Sequence, residues 1–142
     1  MSLSVFITGA SSGIGESLAY YYSQKRYTIG LLARRSDRLQ SVANQCKKLG
    51  GNPIVYDVDV LDQEKCKNVA KDFILINKGI DIVIANAGIG GDDNILSGNS
   101  SEMNKILQIN VLGVTNSIVP FIPKMKEQLS GRIAIISSIA SF

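Results

Sequence analysis

Five short apolar runs, at residues 3–8, 28–33, 53–58, 80–85 and 132–137, alternate with longer segments whose apolar residues recur at helical spacing. That alternation argues for parallel strands joined by crossover helices, an α/β fold. The run at 80–85 is almost uninterrupted in apolar residues, as a strand covered on both faces must be. No internal repeat or low-complexity linker divides the 142 residues, so one domain is expected over 1–142.

The helices between the strands carry their own punctuation. A Gly-rich turn follows the first strand and opens a helix over 14–25. Ser36 is placed to cap the next helix, where Leu39, Val42, Ala43, Cys46 and Leu49 share a face and Gly50-Gly51 supplies the stop. Asp62 caps a third, with Cys66, Val69, Ala70, Phe73 and Ile76 along one side. Residues 86–99 are rich in Gly, Asn and Asp and read as a loop. Ser100 or Ser101 then opens a long helix, bent near its end by Pro120 and Pro123 and closed by Gly131.

Composition removes several kinds of chemistry. Histidine is absent and cysteine numbers two, Cys46 and Cys66, so neither a Ser-His or Cys-His pair nor a usual zinc cluster can be built, and no metal is expected. The 15 basic and 12 acidic residues leave a net charge of +3 with no basic stripe, which argues against a nucleic-acid partner. Both cysteines fall on or beside the apolar stripes of their helices, where buried free thiols suit a reducing compartment. The start of the chain lacks the pattern of a signal peptide, and no uninterrupted apolar run reaches the roughly 18 residues of a bilayer span, so a cytoplasmic chain with no membrane partner is expected.

Chemistry concentrates in Thr8-Gly9-Ala10-Ser11-Ser12-Gly13-Ile14-Gly15, between a predicted strand and a predicted helix. Glycines at 9, 13 and 15 let the main chain turn sharply and approach a ligand, while the helix N-terminus offers amides and a positive dipole end to a pyrophosphate. Dinucleotide folds usually carry an acid about 20 residues beyond such a turn to hold the ribose hydroxyls of NAD. Here the second strand ends in Ala33-Arg34-Arg35, with no acid before Asp37. Two guanidiniums accept a 2′-phosphate that an acid repels, so NADP(H) is expected over NAD(H).

The Gly-rich turn, together with Asp59-Val60, Asn86-Ala87-Gly88, Asn110-Val111-Leu112-Gly113 and Ile136-Ser137-Ser138-Ile139-Ala140 in that order and spacing, resembles the classical short-chain dehydrogenase/reductase family over essentially the whole chain. The resemblance implies a Rossmann-like doubly wound parallel sheet of order 3-2-1-4-5 with helices on both faces. It implies a cofactor site built from Gly9, Ser11, Ser12, Gly13, Ile14, Gly15, Arg34, Arg35, Asp59, Val60, Asn86, Ala87 and Gly88. Asp59 and Val60 would flank the adenine, and Asn86, Ala87 and Gly88 would support the sheet and line the cofactor ribose. Asn110 matches the asparagine that bends its helix and holds a water in the proton relay, and Ser138 matches the catalytic serine, with Ser137 as the fallback. The activity implied is hydride transfer to or from a carbonyl or secondary alcohol on a small-molecule substrate, by a protein that commonly forms homo-oligomers through the long helix.

The family's reaction also uses a Tyr-x-x-x-Lys pair, the Tyr moving the substrate proton and the Lys lowering its pKa. That pair follows the serine by more than the four residues left after Ser138, so the chain reads as C-terminally incomplete relative to the family. Tyr21 and Lys25 do spell the motif, but at the far end of the first helix, beside Tyr20, Tyr22 and Tyr27, which read as packing residues. Without the pair, the 142 residues are expected to show little or no reductase activity, since general acid catalysis supplies about 10²- to 10⁴-fold. A non-catalytic NADP(H)-binding module and a remnant that binds nothing are the other readings. The fifth strand is apolar with nothing after it to pair, so a partner chain, a longer protein or a tolerated open edge are all consistent with it.

Overall fold

The computed structural model describes residues 2–90 and 95–137. Its strands are β1 (Ser4–Thr8), β2 (Thr28–Ala33), β3 (Asn52–Asp57), β4 (Ile82–Ala85) and β5 (Arg132–Ile135). All pair in parallel, in the order β3-β2-β1-β4-β5. This is the doubly wound, Rossmann-like arrangement, and its order reverses between β1 and β4.

The two faces of the sheet are covered by different helices. On one, α1 (Gly13–Gln24) and α2 (Ser36–Lys48) enclose Val5, Ile7, Ile29 and Leu31 with Ala19, Leu39 and Cys46, and Tyr20, Tyr22 and Tyr27 pack against this layer. On the other, Phe6, Leu32 and Val83 meet α3 (Gln63–Asn77) through Phe73 and the long helical stretch through Ile118 and Phe121. The Phe6 ring lies 5.3 Å from Phe73 and 4.9 Å from Phe121, an aromatic centre reached by alternation along β1. Both cysteines are free and buried, and burial pushes the Cys66 thiol up to about 11.

That long stretch, Ser101–Glu127, is continuous but not uniform. Helix α4 (Ser101–Leu107) passes into a π turn at Gln108–Leu112, then α5 (Gly113–Ile118), a 3₁₀ turn at Val119–Phe121 and α6 (Ile122–Glu127). The 3₁₀ turn tightens at Pro120, which has no N–H for the regular ladder, as expected. An 18-residue window within Ser101–Glu127 has a mean hydropathy of 1.4, enough by length and composition to cross a membrane, although no uninterrupted apolar run is that long. Uncharged Asn, Gln, Ser and Thr separate its apolar residues without adding charge. The stretch lies against α3 and β4, burying Ile109, Gly113, Ser117, Ile118 and Phe121.

Several boundaries differ from expectation for identifiable reasons. Ser36 is the first helical residue of α2 rather than its cap, which is Arg35, with no side-chain cap bond. Strand β4 starts at Ile82 rather than 80, because Gln128 Oε1 takes the Ile80 N–H and Ser4 Oγ takes the Asp81 N–H. Helix α6 ends at Glu127 with Gln128 as its cap, and Leu129, at φ +55°, rather than Gly131 adopts the left-handed helical conformation after it. Ile76 lies off the buried stripe at 52% exposure. Strand β5 pairs with β4 and, among the described residues, with nothing else, leaving Ile133 and Ile135 exposed.

Asp62 caps α3 as expected, accepting the Lys65 N–H at 3.0 Å. That bond, joined by the Lys65 ammonium, holds its carboxyl below the ordinary value of 3.8. A group with a lowered folded pKa stabilises the fold above its unfolded pKa and loses that contribution as pH falls through the folded value. Asp62→Ala is therefore expected to lower the urea midpoint at pH 7, with the gap to the parent chain closing as pH drops below 3.8.

Candidate functional site

Thr8, at the carboxyl end of β1, is buried, and its hydroxyl oxygen accepts the main-chain N–H groups of both Asn86 and Ala87 at 3.1 Å. Asn86 returns the connection by donating from Nδ2 to the Gly9 carbonyl at 3.2 Å. The end of β4 is thus tied to the Gly-rich turn where the strand order reverses, the place where doubly wound sheets open a crevice.

Two glycines make that junction possible. Gly9 sits at φ +66°, and a Cβ there would meet Ala87 Cα at 2.8 Å. Gly15, one turn into α1, passes so close that a Cβ would lie 2.6 Å from Asn86 Nδ2 and closer still to the Gly9 carbonyl. Helix α1 is thereby pressed end-on against the turn, with its first-turn amides directed at the crevice.

The crevice is a cleft of about 380 Å³. Its floor is the turn itself, through Gly9, Ser11, Ser12 and Ile14. Arg34 and Arg35, both exposed, stand at the end of β2, and Arg35 Nη2 donates to Ser12 Oγ at 3.4 Å. Asp59 and Val60 form the wall beyond β3; Asp59 Oδ1 accepts the Leu61 N–H at 2.9 Å, and Val60 is buried. Asn86, Ala87 and Gly88 close the opposite side. Gly13 and Gly15 do not line the cleft: Gly15 backs the turn, and Gly13, at φ +56°, has open space where a Cβ would stand.

Asn110 lies in the π turn, its side chain paired twice with one residue of the loop after β4. Nδ2 donates to the Ile89 carbonyl and Oδ1 accepts the Ile89 N–H, both at 2.9 Å. The amide is pinned, and with it the loop that leaves the cleft. Ser138 lies outside the described residues. Ser137 is exposed just past β5, where the Ile136 N–H bonds the Ala85 carbonyl at 3.0 Å and keeps this end alongside β4. None of the five tyrosines lines the cleft, and Tyr21 instead lies under the Lys25 ammonium at 4.9 Å.

Sequence reasoning did not place Leu32, Val58 and Ile109 in the cleft wall, though all three are there. Nor did it give Thr8 a role, although strand-end position followed by Gly9 was the available signal. Thr8→Val keeps the shape but leaves two N–H groups without an acceptor, each costing about 1–3 kcal/mol. Equilibrium urea unfolding should show that loss, and Thr8→Ser should recover most of it.

Comparison with known proteins agrees with this geometry. The family described as short chain dehydrogenase matches residues 4–142. The chain is 38% identical over 138 residues to 11-beta-hydroxysteroid dehydrogenase-like 2 of Arabidopsis thaliana, covering 94% of this chain and 44% of that one. It matches the crystal structure of a short-chain type dehydrogenase/reductase from Mycobacterium marinum at 31% identity and a TM-score of 0.92, covering 98% of this chain and 57% of that one. A 3-ketoacyl-ACP reductase structure from Sinorhizobium meliloti 1021 matches at 31% identity and a TM-score of 0.85, covering 96% and 54%. The chain therefore spans about half the length of the relatives it matches. By sequence and by fold, it belongs to the short-chain dehydrogenase/reductase family of oxidoreductases.

Proposed function

We propose that the chain forms the cofactor-binding half of an NADP(H)-dependent oxidoreductase acting on a carbonyl or secondary alcohol. The observation that carries this reading is the convergence of the Gly-rich turn, the two arginines, Asp59-Val60 and Asn86-Ala87-Gly88 on one cleft at the strand-order reversal. Glycine at 9 and 15 lets the turn, α1 and the end of β4 close together behind that cleft, since the space that their Cβ atoms would fill is taken by main chain and by Asn86.

When bound, the nicotinamide cofactor supplies or accepts the hydride. The α1 N-terminus and the turn amides hold the pyrophosphate. Arg34 and Arg35 take the 2′-phosphate, with Ser12 steadying the Arg35 guanidinium from across the turn. Asp59, with one carboxylate oxygen occupied by Leu61 N–H, keeps the other for the adenine amino group. Asn86, Ala87 and Gly88 face the ribose, and Asn110 fixes the adjoining loop through Ile89. Ser138 belongs to the substrate end, where it would hydrogen-bond the reacting oxygen.

A non-catalytic nucleotide-binding module built on the same cleft is the second reading. In either case the protein is read as cytoplasmic, in keeping with its free buried thiols. Association of like chains through the exposed apolar face of the long helix, including Leu107, Val111 and Val119, accompanies both readings.

The test is a paired titration of the chain with NADPH and NADH, followed by nicotinamide fluorescence. NADPH is expected to bind the more tightly, and Arg34→Ala with Arg35→Ala to remove most of that preference, about tenfold or more for two charge-assisted contacts. Equal binding of the two cofactors would overturn the NADP(H) assignment. A coding sequence that continues past Phe142 into a Tyr-x-x-x-Lys helix would favour the oxidoreductase over the non-catalytic module.

A further inference from the structure

The helical stretch that carries Asn110 reaches the cleft wall a second time. Asn116, in α5, donates from Nδ2 to the Val60 carbonyl at 2.8 Å. Gly113, between the two asparagines, lies so close to Val60 that a Cβ there would meet Val60 Cγ2 at 2.7 Å. Helix α3 approaches the same corner from the other side, its Cys66 thiol 3.7 Å from the Asp59 carbonyl and 3.8 Å from that of Val60. Burial keeps that thiol protonated and able to donate.

The corner needs such donors. Strand β3 ends at Asp57, so Asp59 and Val60 have left the ladder: the Asp59 carbonyl takes the Asp62 N–H at 2.9 Å, and that of Val60 is left to Asn116 and the Cys66 thiol. Without those donors the buried Val60 carbonyl would draw this segment toward water, and with it Asp59 and Val60, which line the cleft.

We propose that Asn116 is a positioning residue for the adenine end of the cofactor: by holding the Val60 carbonyl, with Gly113 seated against the Val60 side chain, it sets where Asp59 and Val60 stand. Asn116 does not itself line the cleft and acts through Val60. The inference rests on the cofactor reading above and extends it to a residue outside the family motifs found in the sequence.

ADP-ribose, which presents the adenine end without the nicotinamide or the 2′-phosphate, is the probe, titrated calorimetrically well below the melting temperature of each chain. Asn116→Ala is expected to weaken its binding about tenfold, the loss of one well-aligned hydrogen bond behind the site. Asn116→Asp keeps the volume but has no N–H to give; it is expected to show the same loss and carries the test should the alanine variant not fold. Gln128→Ala is the structural control: at the cap just beyond the same stretch, Gln128 bonds the Ile80 main chain ahead of β4, away from the cleft, and its loss should leave ADP-ribose affinity unchanged. Native-like affinity in a folded Asn116 variant, or equal weakening in the Gln128 variant, would overturn the proposal. Failure of the unaltered chain to bind ADP-ribose would overturn the cofactor reading itself, and the proposal with it.

Discussion

A hydroxyl group at the end of the first strand receives two main-chain N–H groups from the end of the fourth, and the asparagine that supplies one of them gives its own amide to the glycine turn. This knot joins segments 77 to 79 residues apart in sequence. Parallel strands cannot be closed by a tight hairpin, so the relative height of β1 and β4 has to be fixed by something other than the connection between them. The ladder between Val5–Ile7 and Ile82–Ile84 fixes most of it, and the Ser4 and Thr8 hydroxyls secure the two ends. Asp81 is bonded to Ser4 at one end much as Asn86 is bonded to Thr8 at the other. The cleft inherits its dimensions from that alignment.

The sheet was readable from the sequence because every interior strand is apolar on both faces, a pattern that leaves little choice of class. The Gly-rich turn was readable for the opposite reason: Gly9 and Gly15 stand where no side chain fits, so local chemistry and tertiary placement point the same way. Boundaries proved less legible where a distant side chain took over a main-chain partner. Nothing near Ile80 announces that Gln128, 48 residues later, will bond its N–H and delay the strand. Leu129 in the left-handed region is another such case, since the neighbouring Gly131 was the better local candidate.

Within the site, residues at strand ends and in motifs could be named from sequence, whereas those recruited by packing could not. Ile109 reaches the cleft only because the helix that carries it is laid across α3 and β4. Asn116 looks like any polar residue on a helix until the Val60 carbonyl is found beside it. Asn110 was legible as an asparagine in apolar surroundings that must have a partner, but that partner, Ile89, lies in a loop whose path no periodicity predicts.

The π turn at Gln108–Leu112 has a further consequence. Such a turn accommodates one extra residue in a helix without breaking it, and every side chain beyond it is rotated by roughly 100° relative to an uninterrupted α-helix. In this molecule Asn110, inside the turn, meets Ile89, and Gly113 and Asn116 after it meet Val60. The turn therefore works as an angular offset, a fixed phase shift that lets a single rod meet two targets that a regular helix could not address at once. Length changes elsewhere in the loops can be absorbed at the surface. A change of one residue in this turn would instead dial the downstream half of the rod away from the corner it supports, leaving the upstream half in place.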